Sequence, residues 1–203
     1  MPLPPRANES ILNPEIERLI YQVKVIQQDS EGVTYALTDE EFNWSPGLGK
    51  WSIAQCFDHL NAVNRQFLAK LKEAVASGRQ KGLLAEGPYS YGALSRWFFR
   101  INLPPPRQKF KAPKRFVPAA RKAAHEVMPE FAEHHVELIE VLRQASGLDL
   151  ARVRCPLPGF PLLKLNLGMA FWTVTAHDRR HIYQAREICI AQGFPRSRPK
   201  PAA

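Results

Sequence analysis

The sequence predicts an all-α protein, a four-helix bundle, and three observations favour this fold class. Four segments of roughly 20 residues or more place apolar side chains at intervals of three and four, the spacing of one helix face. Residues typical of helix starts and helix ends flank these segments. No segment of any length alternates between apolar and polar residues as a half-buried strand does. Long helices without strands pack as a bundle.

The first helix is predicted to begin at Asn13, because asparagine is a favourable N-cap and Pro14 suits the first helical position. Apolar residues at helical spacing run from Ile16 to Ile26, and the helix is predicted to reach about residue 37. The stretch that follows, LTDEEFNWSPGLGKW, is rich in proline and glycine. It is predicted to be a loop.

The second helix begins at a capping-box pattern, with Ser52 as N-cap and Gln55 three residues later. Apolar residues then recur every three or four positions from Ile53 to Leu71. The pattern predicts a helix that continues to about residue 77, where a serine and a glycine follow each other.

A long basic, proline-rich insertion is predicted between helices two and three, over about residues 79–118. Lysine or arginine occupies eleven positions between 79 and 122, against the single acid Glu86, so this stretch alone is more positive than the whole chain, whose formal charge is +9. We expect the insertion to fold over the bundle as a lid or flank, with Trp97 and Phe98 largely buried. The competing interpretation is a surface for nucleic acid or anionic membranes. The amphipathic grouping of the aromatics in ALSRWFFRI favours packing and disfavours nucleic acid.

The third helix is predicted over about 118–147 and the fourth over about 164–192, with LDLARVRCPLPGFPLL as the connector between them. A glycine and a proline after the fourth helix favour its end there. Residues 194–203 are predicted to be a flexible basic tail. A chain of 203 residues suits one domain, so we expect a single bundle domain across 1–203.

The composition also indicates in which cellular compartment the protein is expected. The N-terminal stretch lacks the apolar run of a secretory signal, and no window approaches the roughly 18 apolar residues of a membrane span. The three cysteines are scattered and follow no paired spacing, which is typical of a reduced compartment. We therefore expect a soluble cytoplasmic protein.

Three histidines form the candidate site. His177 and His181 lie four residues apart in AHDRRHIYQ, so on a helix their Cβ atoms are about 6 Å apart and both rings can reach one ion. The alternative is an exposed polar pair, although the charged residues 178–180 between them are predicted to lie on the outer face. His59 lies among apolar residues of helix two and is predicted to point to the core. A histidine at this position either forms a hydrogen bond with a neighbouring oxygen or binds the same ion as His177 and His181.

Two stretches carry a family resemblance. FNWSPGLGKWSIAQCFDHL resembles the helix-two signature of the DinB-like and YfiT-like metalloenzymes, and AHDRRHIYQ resembles their helix-four signature, H-x-x-x-H-x-x-Q. KAPKRFVP and GLDLARVRCPLPGFPLLKLNLG are similar to linkers of the large DinB-like subfamily, so the resemblance covers most of residues 12–192. It implies a four-helix bundle with a divalent metal held by His59, His177 and His181.

Further residues are candidates for the surroundings of that metal. Gln55 occupies the position where the family has Glu or Gln. Gln184, one turn after His181, either orients a ligand or packs against a neighbouring helix. His135 shares a stripe with apolar residues of helix three and either lines the pocket or is a hydrogen-bonded core histidine.

Three histidine ligands leave coordination positions open, which is typical of a catalytic metal. The DinB-like family that the chain resembles includes bacillithiol and mycothiol transferases and isomerases. From this resemblance we expect a small-molecule substrate and the transfer of a low-molecular-weight thiol to an electrophile. A metal-dependent hydrolase and a non-catalytic metal- or ligand-binding module are the alternatives. Histidine-only sites favour zinc or nickel here, with iron or manganese as alternatives. The resemblance also favours a homodimer.

Overall fold

The computed structural model describes residues 12–105 and 112–196, and this part of the chain is mostly helical, as predicted. The elements are α1 (Pro14–Thr34), α2 (Asp39–Asn43), α3 (Ile53–Gln80), α4 (Ala93–Asn102), a 3₁₀ turn (Lys114–Phe116), α5 (Ala124–Gln144), β1 (Arg154–Leu157), β2 (Phe160–Asn166) and α6 (Leu167–Cys189). No helix among the described residues is both long enough and apolar enough to cross a membrane.

The four long helices, which correspond to the four predicted ones, are α1, α3, α5 and α6, and they pack side by side. Helix α1 contacts α5 and α6, and α3 contacts the same two helices, so the cyclic order is α1–α5–α3–α6. Buried apolar side chains form two clusters along this arrangement. His59 lies on α3 between Phe57 of one cluster and Val63 of the other, which places it where the two clusters meet.

The predicted helix starts are confirmed for the first and second long helices. The side chain of Asn13 accepts a hydrogen bond from the backbone N–H of Glu15 at 2.8 Å. Ser52 and Gln55 form a reciprocal capping box, with distances of 3.2 and 3.0 Å. Helix α1 ends at Thr34, before the predicted residue 37, because the backbone of Tyr35 is no longer helical, with ψ of 128°, and Ala36 after it is left-handed, with φ of 57°.

The stretch after α1, predicted to be a loop throughout, contains the short helix α2. Thr38 caps it, accepting a hydrogen bond from the N–H of Glu41 at 3.2 Å, while the Glu41 carboxylate accepts one from the N–H of Thr38 at 2.8 Å. The prediction was wrong because the capping-box pattern T-D-E-E outweighs the glycines and prolines that come later in the stretch.

The predicted start of the third long helix near Pro118 was also wrong, since α5 begins at Ala124. The chain before it is held in a non-helical form by α3. The Asp58 carboxylate accepts a hydrogen bond from the N–H of Ala119 at 2.8 Å and forms an ion pair with Lys122 at 3.0 Å.

A β-hairpin precedes α6, so the expectation that the chain has no strands was wrong. Strands β1 and β2 pair antiparallel, with Arg154 opposite Asn166, and Gly159 turns between them with φ of 91°. This glycine conformation is one that other residues rarely adopt. Helix α6 therefore starts at Leu167, later than the predicted residue 164.

The basic segment is the stretch 79–118 that was predicted as an insertion. Helix α4 lies in this segment and packs against α6 and β2. Tyr91 donates a hydrogen bond to the Glu15 carboxylate at 2.7 Å, and Tyr89 donates one to the carbonyl of Leu148 at 2.9 Å, so the segment is tied to α1 and to the chain just after α5. The burial predicted for Trp97 was wrong, because 55% of this residue is exposed. Residues 106–111 of the predicted insertion and 197–203 of the predicted tail lie outside the described residues.

Candidate metal centre

Three histidines from two helices meet at one point. His59 comes from α3, and His177 and His181 come from successive turns of α6. One ring nitrogen of each lies within 4.8 Å of the corresponding atoms of the other two. His59 and His181 are buried, and His177 is partly exposed. The three residues predicted from the sequence to act together are therefore brought together by the fold.

Each of the three rings has an oxygen beside its Nδ1 atom. The partners are the Phe116 carbonyl for His59 at 2.7 Å, the Asn102 amide oxygen for His177 at 3.2 Å, and the Gln184 amide oxygen for His181 at 3.1 Å. Because oxygen acceptors face all three Nδ1 atoms, the neutral rings carry their proton there. Each Nε2 is left with a lone pair, the form in which imidazole binds a metal.

The Nε2 atoms of His59 and His177 face each other at 3.2 Å. Two lone pairs at this distance repel unless a cation or a proton lies between them. Imidazole nitrogens bound to one zinc ion at about 2.0–2.1 Å, at angles of about 90–110°, lie about 2.8–3.4 Å apart. The observed separation fits that geometry, so these residues could hold one divalent ion.

The surroundings keep the rings neutral. Burial lowers the pKa of His59, His177 and His181 below the ordinary histidine value. For His177 the pKa falls to about 3, mainly because of burial, and the adjacent His59 and the positive charge of Arg180 further disfavour a proton on this ring. Neutral histidines bind metal without first releasing a proton, so the site is ready for a cation at physiological pH.

The indole of Trp51 covers one side of the site. Its ring centroid lies 4.8 Å from that of His59 and 5.6 Å from that of His181, and it stacks on the latter at an interplanar angle of 26°. The aromatic ring restricts the approach of water to the two histidines from that side.

The site opens into a pocket of about 370 Å³. Most of its wall is apolar, supplied by α3, α4, the 3₁₀ turn and the hairpin, and includes Val63, Phe67, Phe98, Ile101, Phe116, Leu157 and Phe160. The polar groups are the three histidines, Asn102, Thr173 and Arg180. Among the described residues that line this pocket, Arg180 is the only one with a formal charge.

The prediction that residues 178–180 lie on the outer face of the helix was wrong for two of them. Asp178 is fully buried, and its carboxylate lies 3.1 Å from Nε2 of His135 and accepts a hydrogen bond from Asn64 at 3.0 Å. Arg180 lies in the pocket wall, and only Arg179 is exposed. Helix α6 contacts α1, α3 and α4, so most of its circumference is covered and little of it remains as an outer face.

The three residues proposed for the surroundings of the metal have different places. The side-chain oxygen of Gln184 accepts a hydrogen bond from Nδ1 of His181 at 3.1 Å. The side-chain oxygen of Gln55 accepts the hydrogen bond of the Ser52 N–H and caps α3.

His135 is a core histidine whose Nδ1 donates to the Phe131 carbonyl at 2.8 Å, and it is not among the described residues of the pocket wall. Burial opposes charge on His135, but the hydrogen bond and charge of Asp178 outweigh it and raise its pKa.

Sequence reasoning missed Asn102, the Phe116 carbonyl and Arg180. The first two belong to the basic segment, and nothing in its composition indicates which of its residues meet α6. For Arg180 a signal was present, since it lies seven residues after Thr173 and three after His177, on the same face of a helix.

The DinB superfamily is the family whose model matches the chain, over residues 22–185. The matched range contains all three histidines and most of the fold described above. Comparisons with curated proteins and with solved structures gave no match.

Proposed function

The chain belongs to the DinB superfamily, and from this membership and the geometry of the histidines we propose that it is a metal-dependent enzyme. In this proposal His59, His177 and His181 hold one divalent ion, and the reaction is the transfer of a low-molecular-weight thiol to an electrophile. The observation that carries it is the convergence of three neutral imidazoles at the end of an apolar pocket. We interpret the four packed helices as the four-helix bundle that supports such a site.

The donor set favours an exchangeable catalytic ion over a structural one. A structural zinc has four protein ligands, generally including cysteine, whereas three histidines leave room for a substrate atom. Cys56, one turn before His59, is fully buried, and burial raises the pKa of its thiol, so it is unsuited to supply a thiolate. When bound, a divalent ion supplies a Lewis acid that favours the deprotonated form of a thiol or of water.

The pocket wall favours a thiol over water as the nucleophile. Hydrolysis benefits from a carboxylate that accepts a proton, and the described residues of the pocket include no Asp or Glu. Asp58, one residue before His59, is engaged with Lys122 and the Ala119 N–H. Glu187 lines a second, more open groove that shares Trp51, Arg180 and His181 with the pocket, which makes it the candidate base if the protein is a hydrolase.

In this proposal the groups around the histidines orient the three rings and limit the access of water. The oxygens of Phe116, Asn102 and Gln184 hold the three rings in the orientation that presents Nε2 to the ion. The indole of Trp51 and the apolar wall limit water, which would otherwise compete with the thiol for the electrophile.

A cobalt-substituted protein provides the test. We expect addition of a low-molecular-weight thiol to give a sulfur-to-cobalt charge-transfer band, and His177→Ala to abolish it. His125→Ala is the matched control, because His125 is exposed at the start of α5. An electrophile panel with the zinc or nickel protein then measures turnover.

Two results would contradict the proposal. Ester hydrolysis that needs no thiol and is lost in Glu187→Gln would make the protein a hydrolase. Metal binding without turnover of any electrophile or of any ester would make the protein a binding module. The homodimer is part of the same proposal, and light scattering of the purified chain gives its mass directly.

A further inference from the structure

Among the described residues, three polar side chains line the pocket besides the site histidines and two tryptophan indoles, and each is bonded to the protein or covered by it. The amide of Asn102 accepts a hydrogen bond from a site histidine through its oxygen and donates one to the Phe98 carbonyl through its nitrogen. Arg180 donates to the carbonyl of Ile101 at 2.8 Å. The hydroxyl oxygen of Thr173 is covered by protein atoms, so a ligand in the pocket does not reach it.

The rest of the pocket offers a ligand apolar contacts. Its volume of about 370 Å³ is near the lower end of the range for small-molecule sites, about 300–1,000 Å³. Four buried apolar residues form the inner part of the wall, namely Val63, Phe67, Phe116 and Leu157. A charged group is unfavourable against such a wall because it loses its hydration there. An uncharged apolar molecule instead gains from leaving water.

Two aromatic residues of the same wall are largely exposed. Trp97 of α4 and Phe160 of β2 line the pocket, yet 55% and 56% of these residues are exposed to solvent. Exposed apolar side chains beside a cavity are typical of a ligand-binding site, because the ligand covers them and so removes their apolar surface from water. The exposure of Trp97, for which the sequence predicted burial, therefore fits a site that an apolar molecule completes.

We propose that this pocket binds the apolar body of an uncharged electrophile, with the reactive end of the molecule toward the three histidines that line the same pocket. In this proposal the body packs against the inner wall at Phe67 and Phe98, and Trp97 and Phe160 cover it on the solvent side. The inference rests on the proposed function for the reaction that the electrophile undergoes. Binding of the apolar body itself does not require the ion.

The test compares three phenyl compounds on protein freed of metal with a chelator. Benzylacetone is uncharged, hydrocinnamate has nearly the same shape but ends in a carboxylate, and phenylpropylamine ends in an ammonium group. Calorimetry measures their binding. We expect benzylacetone to bind about tenfold or more tightly than either charged compound, because only the charged compounds lose the hydration of an ion. We also expect a negative heat-capacity change for benzylacetone, the sign that the burial of apolar surface produces.

Two pairs of exposed residues separate contact in the pocket from a general loss of apolar surface. Phe160 and Leu162 both belong to β2 and are exposed, but only Phe160 is among the described residues of the pocket wall. Trp97 and Leu94 are the corresponding pair on α4. We expect Phe160→Ala and Trp97→Ala each to weaken benzylacetone binding by about threefold or more, and Leu162→Ala and Leu94→Ala to leave it unchanged. All four side chains are exposed, so we expect the variants to fold.

The inference is overturned if metal-free protein binds hydrocinnamate as tightly as benzylacetone, or if it binds neither compound. It is also overturned if Phe160→Ala and Leu162→Ala bind benzylacetone equally. Should such a protein still take up one ion per chain, the proposed metal site stands while the inference falls. Binding of benzylacetone that depends on Phe160 in a protein that takes up no metal supports the apolar binding site and contradicts the proposed function.

Discussion

The side chain of Asn102 accepts a hydrogen bond from Nδ1 of His177, at 3.2 Å. Its amide nitrogen donates to the carbonyl of Phe98 at 2.8 Å, which fixes the orientation of the amide and directs the oxygen to the histidine. Asn102 belongs to α4, so the basic segment supplies part of the candidate metal centre and does more than cover it.

From this contact we predict that Asn102→Ala weakens zinc binding by about 10–100-fold, the usual effect of removing a residue that orients a metal-binding histidine. Competition against a chromophoric chelator measures the change. Arg96→Ala, an exposed residue of the same helix, is the control and should bind zinc normally. Equal affinities in the two variants would show that α4 has no part in holding His177.

The buried pair of Asp178 and His135 is predicted to stabilise the fold. Both ring nitrogens of His135 face oxygens, and the two side chains are 0–1% exposed. Asp178→Asn should therefore lower the free energy of unfolding by about 3–5 kcal/mol, because it removes one partner of a buried, hydrogen-bonded pair. Asp29→Asn, which breaks a surface ion pair with Arg186, should cost about 1 kcal/mol or less. Urea denaturation distinguishes the two, and similar losses would contradict the prediction.

The three site histidines give the metal-free protein a predicted pH dependence. Their native-state pKa values lie below that of an unfolded histidine, near 6.5, so as the pH falls from 6.5 to 5 the unfolded state takes up protons that the native state does not. Stability should therefore fall with pH in this window. His135 contributes with the opposite sign, because its raised native-state pKa lets the native state already hold the proton that the unfolded state still takes up in this window.

We expect His177→Ala to reduce this slope by up to about 1.4 kcal/mol per pH unit, because one of the three groups is removed. Urea denaturation at several pH values measures the slope. A metal-free protein whose stability rises as the pH falls from 6.5 to 5 would contradict the neutral histidines inferred above.

Two glycines in helices are predicted to respond oppositely to the same substitution. A Cβ at Gly168 of α6 would collide with the ring and the hydroxyl of Tyr91, so Gly168→Ala should destabilise the protein by about 1–3 kcal/mol and displace the basic segment. A Cβ at Gly32 of α1 meets nothing within 4 Å, so Gly32→Ala should stabilise by about 0.5–1 kcal/mol. Thermal unfolding gives both signs, and a stabilised Gly168→Ala would contradict the close approach of Tyr91.

The sequence predicted the long helices and the three histidines because both depend on local spacing. The spacing of the apolar residues and the cap residues Asn13 and Ser52 are local signals of a helix. His177 and His181 share a helix face whatever the tertiary context. The hairpin was missed because its strands have 4 and 7 residues and contain prolines, which obscure the alternation of a strand.

The burial of Asp178 could not be predicted from its own helix. An acidic residue between two arginines and a histidine resembles an exposed residue, and its partners His135 and Asn64 are 43 and 114 residues away in the chain. The same holds for Asn102, which is 75 residues from His177. Contacts of this range depend on how helices are arranged in space, and local periodicity does not determine that arrangement.

The most direct test of the central claim, that His59, His177 and His181 hold one exchangeable ion, is elemental analysis of untagged protein beside the His177→Ala variant. We predict about one zinc or nickel ion per chain in the unmodified protein and none in the variant, whose helical circular dichroism should be retained. The ion adds stability only by mass action, about 2.7 kcal/mol at a hundredfold excess over its dissociation constant, so the variant should lose only some degrees of Tm. A variant that retains the ion, or one that unfolds on losing it, would contradict the claim, the latter because the site would then be structural.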